Sequence, residues 1–308
     1  MVADPRVSFL MPVYDGEAFV ADAIESVREQ TADCWELVVI DDGSTDDSAD
    51  VVESFLPDDR IRFFGQENRG VTATTNRAMR LADGEFLAVH PQDDVSVPDR
   101  LERQLAVFED HPDVGMVYSP ATFVDFEGEA FNEWGGWHGE GRVPGEELFR
   151  ELYVGGMCLA SPSVLFRSHP GIDEEEPWGD PALTVVSDWE HWMHAAQHYD
   201  AYELEEPVVR MLRDADHSHL GGRHDVIATE ERIVLRRIRR QYAEGTPPVT
   251  RRMYAAATSN HSLRRLRHQL YEQRDYLGGL RSSLRAFCYN PLNRELYAEY
   301  VTILRSLV

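Results

Sequence analysis

The sequence predicts an α/β domain built on a mixed, mostly parallel sheet flanked by helices, followed by a C-terminal helical appendage. Two observations carry this. Over the first 120 residues, short apolar runs alternate with segments of helical period. From about Asp225 onward the pattern is helical throughout, broken at Gly245-Thr246-Pro247-Pro248 and near Asn290-Pro291. These changes divide the chain into residues 1–225 and 226–308, with a further change of pattern near residue 120.

Val7-Ser8-Phe9-Leu10-Met11 reads as a buried strand, and Ala18 to Gln30 as a helix. Glu36-Leu37-Val38-Val39-Ile40 is a second strand ended by the acidic turn Asp41-Asp42-Gly43-Ser44-Thr45, with Thr45 or Asp46 capping the next helix. Arg62-Phe63-Phe64 is a third strand, Val71 to Leu81 a helix, and Glu85 to Val89 a fourth strand. Right-handed crossovers between such units put the strand C-termini on one edge, where open α/β sheets bind ligands. Beyond residue 114, Val114–Tyr118 and Ala121–Asp125 look like strands. A Gly- and Trp-rich loop follows around Trp134-Gly135-Gly136-Trp137, and Ser187 to Tyr199 reads as a helix.

The charge balance narrows the partners. Fifty-five acidic residues face 30 basic ones, all arginine, for a net charge of −25. That field repels nucleic acid and anionic membrane non-specifically. It suits a surface adapted to high salt, where screening removes the repulsion between carboxylates, as in a halophile. The two parts differ: residues 1–225 hold 48 acidic residues and 15 arginines, whereas residues 226–308 hold 7 and 15. Such a basic tail docks on the acidic body, self-associates or touches a membrane peripherally. The N-terminus lacks a cationic flank and no run reaches the roughly 18 apolar residues of a spanning helix, so the expectation is a cytoplasmic protein, at most peripheral to the membrane's inner face. Cys34, Cys158 and Cys288 have no metal-ligand spacing and read as buried small hydrophobes.

Four strand-end clusters converge on one cleft: Pro12-Val13-Tyr14-Asp15, Asp41-Asp42-Gly43-Ser44, Arg69-Gly70-Val71 and Pro91-Gln92-Asp93-Asp94. The set suits a nucleotide diphosphate. The Tyr14 ring can stack on a base, and Asp41 can accept a hydrogen bond from a base or ribose. A carboxylate repels pyrophosphate unless a hard divalent cation, Mg²⁺ or Mn²⁺, sits between them, and Asp93 and Asp94 are the candidates to hold it. A dinucleotide-binding turn is excluded because Met11-Pro12-Val13-Tyr14-Asp15-Gly16 follows the first strand in place of GxGxxG. A P-loop is excluded because the chain has no lysine.

Val7-Ser8-Phe9-Leu10-Met11-Pro12-Val13-Tyr14, Val39-Ile40-Asp41-Asp42-Gly43-Ser44-Thr45-Asp46, Glu67-Asn68-Arg69-Gly70-Val71 and Gly84-Glu85-Phe86-Leu87-Ala88 together resemble glycosyltransferase family 2 in order and spacing. The resemblance is specific over residues 7–120 and looser over 155–220. It implies a GT-A (Rossmann-like) fold, a nucleotide-diphosphate-sugar donor bound by residues 1–120, and a glycan or lipid-linked acceptor bound by residues 121–225. It also implies a divalent cation and inversion at the anomeric carbon. By the same resemblance Pro12, Tyr14, Asp15, Asp41, Asp42 and Arg69 fall at the nucleotide, and Asp93 and Asp94 at the metal.

Two positions depart from the family pattern. Pro91 replaces the first aspartate of Asp-x-Asp, and Thr74-Thr75-Asn76 stands where Ala-Arg-Asn is usual, with Arg69 supplying the missing charge. Inversion needs a base for the acceptor proton. Ser187-Asp188-Trp189-Glu190-His191-Trp192 matches the helix start that carries it, which makes Asp188 the candidate ahead of a plain N-cap role. His217 falls where related enzymes close over the donor diphosphate and is a candidate further metal ligand. His191, His194 and His198 share a helical face but lack an HExxH pattern, and read as surface residues. Two other readings stay open. One is a sugar-1-phosphate nucleotidyltransferase, which would need a glycine-rich basic loop after the first strand. The other is a catalytically degenerate nucleotide-sugar-binding or scaffold protein, which Pro91 keeps in play.

Overall fold

The computed structural model describes residues 5–167, 175, 177–213, 224–244, 248–269, 276–297 and 299. In chain order the elements are β1 (Val7–Val13), α1 (Val20–Arg28), β2 (Trp35–Asp41), α2 (Ser48–Glu53), β3 (Ile61–Gly65), α3 (Val71–Leu81), β4 (Phe86–Val89), β5 (Asp94–Ser96) and α4 (Arg100–Asp110). Then come β6 (Val114–Tyr118), β7 (Ala121–Val124), β8 (Ala130–Trp134), β9 (Gly141–Val143), α5 (Gly145–Gly155), a 3-10 turn (Ser161–Ser163) and β10 (Leu165–Arg167). The last are α6 (Ser187–Ala195), β11 (Asp200–Glu203), β12 (Val209–Leu212), α7 (His224–Gln241), α8 (Arg251–Arg267) and α9 (Tyr276–Tyr289).

The chain divides into two compact units, one of residues 1–148 with 158–218 and one of residues 149–157 with 219–308. In the first, an eight-stranded sheet has the order β3-β2-β1-β4-β10-β6-β11-β9, and a four-stranded sheet the order β5-β12-β7-β8. β3, β2, β1 and β4 run parallel. β10 enters antiparallel between β4 and β6, and β11 returns parallel to β6. All seven residues of β2 are buried, as expected of a central parallel strand covered on both faces. Phe9, Leu37, Val39, Ile24, Val27 and Phe86 form the heart of the core; full burial of each such side chain contributes roughly 1.5–3 kcal/mol.

The first four strands and the helix over 71–81 stand where their apolar runs place them. Three local features differ from expectation. The second helix begins at Ser48, because Asp46 Oδ1 accepts the Ser48 amide at 3.0 Å while its Oδ2 accepts from the Glu17 amide. The helix beginning at Ser187 stops at Ala195, so His198 is not on it. Of the cysteines, Cys34 and Cys158 are half-buried but Cys288 is exposed, which corrects the reading of all three as buried.

The second unit takes the end of α5 together with α7, α8 and α9. Tyr153 Oη donates to the Leu235 carbonyl at 3.0 Å, Asn260 Nδ2 to the Val154 carbonyl, and Arg264 Nη1 to the Gly155 carbonyl. Residues 149–157 therefore belong with the C-terminal helices, where the sequence boundary at 225 had assigned them to the first part. Leu263, Leu266, Ala286 and Leu296 close the α8–α9 core.

One glycine in the first unit is held by packing. A Cβ on Gly115, in β6, would lie 2.2 Å from the Tyr199 ring. Gly115→Ala is expected to cost about 1–3 kcal/mol through overpacking, read as a lower urea midpoint with an unchanged m-value.

Candidate active site

The strand order reverses between β1 and β4, which makes their C-terminal ends the switch point of the sheet. The chain opens them by removing a donor. β1 and β4 pair from Val7 to Leu10, and the Leu10 carbonyl accepts the His90 amide at 2.9 Å. The next β1 residue facing β4 is Pro12, which has no N–H, so the ladder stops there while pairing with β2 continues to Val13. Past the break a side chain bridges the gap. Gln92 Oε1 accepts the Tyr14 amide at 2.8 Å and its Nε2 donates to the Tyr14 carbonyl at 3.0 Å. Tyr14 is left 46% exposed on the rim. The neighbouring Asp15 carboxylate holds its phenol above the ordinary value.

Asp15 adopts a positive φ of 44° and links this loop to the next. Its Oδ1 accepts the Thr45 amide at 2.7 Å, and its own amide donates to Ser44 Oγ. Asp41 accepts from the Ser44 amide and hydroxyl through Oδ1, leaving Oδ2 without a partner among the described residues. Asp42 is placed differently. It is 3% exposed; Oδ1 accepts from Gln66 Nε2 at 2.7 Å and the Arg69 amide at 2.9 Å, and Oδ2 from the Gly70 amide at 2.8 Å. With three donors this carboxylate fixes the start of α3. Its charge also complements the positive end of that helix. The Arg69 side chain projects outward, exposed.

After β4 the chain turns through His90 to Asp93 and enters the second sheet at Asp94. Asp93 is half-buried, whereas Asp94 is 1% exposed between β12 and Arg100. Burial, reinforced by the Asp93 charge, pushes the Asp94 carboxyl well up; Arg213, the Leu212 amide and Arg100 oppose this. Asp94 Oδ1 is buried with no hydrogen-bond partner. The pair suits a hard divalent cation by the chemistry of its carboxylate oxygens: Asp93 is half-buried and Asp94 keeps one oxygen unsatisfied. Arg100, wholly buried, donates to Gln104 Oε1 and Ser96 Oγ, and burial pulls its pKa down to about 9. His90 is likewise buried and held neutral, its pKa near 3.

Asp188 lies in the first turn of α6. Its Oδ1 accepts the Trp189 amide and its Oδ2 accepts from Ser161 Oγ, both at 2.7 Å. Ser161 Oγ also accepts from Trp192 Nε1 at 2.9 Å. An indole only donates, so the serine proton must point to Asp188. One side of Asp188 stays open, but protein encloses the rest closely enough that burial raises its pKa despite these bonds. The helix is tied to α3: Thr72 Oγ1 bonds to the Leu183 carbonyl and, at 3.0 Å, to Ser187 Oγ. Asn76 holds Trp178 and Gly179 through three further bonds. His191 is 3% exposed and stacked 4.4 Å from the Trp178 ring, which corrects its reading as a surface residue. His217 lies outside the described residues.

The family model described as Glycosyl transferase family 2 matches residues 8–169. The chain belongs to this family. The match includes every strand-end residue above and stops short of Asp188. EpsH of Bacillus subtilis (strain 168) is 37% identical over 122 residues, which is 39% of this chain and 36% of EpsH, so the chain matches only about a third of that relative. S. aureus TarS 1-349 in complex with UDP-GlcNAc shares the fold with a TM-score of 0.57 at 15% identity, over 92% of this chain and 91% of that one. A mannosyltransferase from Pyrobaculum calidifontis in complex with GDP-Man and Mn2+ gives 0.57 at 16% identity, over 99% and 81%. The family 2 chain accordingly has the GT-A fold, as the sequence predicts.

Gln92, Thr72, Ser161 and Trp192 carry the site's scaffolding; Gln92 and Trp192 lie within motifs the sequence marks, whereas Thr72 and Ser161 do not. Because Asp42 holds two backbone amides with charge-assisted bonds, Asp42→Asn is expected to lower stability by about 1–3 kcal/mol. Thermal and urea unfolding check this.

Proposed function

We propose that this family 2 chain transfers a sugar from a nucleotide diphosphate to an acceptor hydroxyl with inversion at the anomeric carbon. The observation that carries the reading is Asp94 Oδ1, buried without a donor, next to the half-exposed Asp93 at the strand edge where Tyr14 and Asp41 also end. Family membership and the nucleotide sugars bound by its structural neighbours, UDP-GlcNAc and GDP-Man with Mn2+, support it.

Tyr14 stacks on the base from the rim, and Asp41 Oδ2 takes a hydrogen bond from the base or ribose. Arg69, at the opening of α3, supplies positive charge toward the diphosphate. Asp93 and Asp94 would hold a divalent cation, Mn²⁺ or Mg²⁺, which neutralises charge building on the departing nucleotide diphosphate. Asp188 removes the acceptor proton; its elevated pKa makes it a stronger base than an ordinary carboxylate. Phe131 of β8, 57% exposed, and Trp137 in the loop after it, 62% exposed, offer the acceptor aromatic surface of the kind sugars stack on. Net charge −25 with arginine as the only strong base adapts this surface to concentrated salt.

The deciding experiment is a thermal-shift and calorimetric screen of UDP, GDP and dTDP and their sugars, with and without Mn²⁺, in concentrated KCl. Metal-dependent binding lost in Asp93→Ala supports the reading. Donor binding without turnover, together with an Asp188→Asn variant indistinguishable from the parent, supports the degenerate relative that Pro91 keeps open. For an active enzyme, Asp188→Asn should lower transfer by about 10²–10⁴-fold while metal-dependent nucleotide binding persists. The sign of the pH dependence follows from the raised pKa. Asp188 works ionised, so transfer falls as pH drops through a value above the usual carboxylate range. The melting temperature is expected to rise with KCl, as the Debye length shrinks from about 10 Å at 0.1 M to about 3 Å at 1 M.

A further inference from the structure

The C-terminal unit carries arginines that no carboxylate among the described residues neutralises. Arg232 on α7 has its Nε buried without a hydrogen-bond partner. Arg236 on the same helix, Arg265 on α8 and Arg285 on α9 lie within electrostatic reach of it and disfavour its charge. Among the described residues none of these four makes an ion pair or a side-chain hydrogen bond, in a protein with 55 carboxylates. Glu231, the adjacent acid, is already taken by His261 and by Arg264 at 2.9 Å. Alongside, Ile233, Arg236 and Arg240 line an open cavity of about 600 Å³.

Exposed apolar side chains lie on the same helix as Arg285. On α9, Leu280 and Leu284 are each 56% exposed and Phe287 45%, and their spacing of four and three residues puts them on one side of the helix. Arg281 and Arg285 are exposed between them, and Leu292, just past the helix, is 83% exposed. A soluble polyanion would account for the arginines and leave the leucines in water. A symmetric second copy would cover the leucines but offer Arg281 and Arg285 no anion, since α9 carries no acidic residue. An anionic bilayer surface accommodates both, taking leucine and phenylalanine into the acyl boundary and guanidinium groups onto headgroup phosphates. No helix among the described residues is long and apolar enough to cross a membrane, so the contact is a surface one.

We propose that the outer faces of α7 and α9 dock on an anionic phospholipid membrane. Leu280, Leu284 and Phe287 enter the interface, and Arg232, Arg236, Arg265 and Arg285 receive the headgroup phosphates. This is independent of the transferase reading.

The test is cosedimentation of the full chain with vesicles of phosphatidylcholine alone or mixed with phosphatidylglycerol, at low and high salt. Binding is expected to the mixed vesicles and to weaken with salt. Each arginine near the surface contributes about fivefold in partitioning, so Arg236→Gln with Arg285→Gln should lower it roughly 25-fold. Both side chains are exposed, so the melting temperature should not change. Leu284→Asp should also reduce binding. Equal binding to both vesicle types, or none to either, overturns the proposal. So does a solution dimer that Leu284→Asp dissociates while vesicles stay unbound.

Discussion

The candidate site depends on the three hydrogen bonds that the Asp42 carboxylate accepts. By accepting the Arg69 and Gly70 amides it fixes where α3 begins, directly beyond the end of β2. From that start Thr72 reaches Ser187, and Asn76 reaches Trp178 and Gly179, over a hundred residues away in sequence. Asp188 is the next residue after Ser187. One buried charge on the donor side therefore sets the position of the proposed base on the acceptor side. The connection consists of hydrogen bonds between elements of a single unit, so an error in the first turn of α3 passes directly to α6.

Asp41 and Asp42 show how little a motif says about roles. Both are buried, yet Asp41 keeps one oxygen without a partner among the described residues while Asp42 binds backbone with both. Asp93 and Asp94 differ as well, one half-exposed and one enclosed. Asp42 holds its loop, whereas Asp94 keeps one oxygen unmatched.

The central strands were legible because parallel strands buried on both faces leave continuous apolar runs, as in Leu37-Val38-Val39-Ile40. The strand-end positions followed from topology alone. What escaped reading did so for physical reasons. β5 is Asp94-Val95-Ser96, too short and polar to show a period, and α4 begins on a buried arginine that looks like a surface residue. His191 looked exposed because its helix is amphipathic, yet Trp178, from a preceding loop, stacks on it. Ser161 and Trp192 are 31 residues apart, and no local pattern announces a hydrogen bond between them. The end of α5 joined the C-terminal helices through Tyr153 and Leu235, a contact between segments that composition cannot connect.

The Trp192–Ser161–Asp188 chain has a direction. Because the indole fixes the serine proton and the Trp189 amide occupies the other oxygen, each Asp188 oxygen already faces one donor. In the role proposed above, a captured proton would occupy a lone pair that neither donor uses, and the aspartate would act as a one-way port that releases the proton on the side that received it.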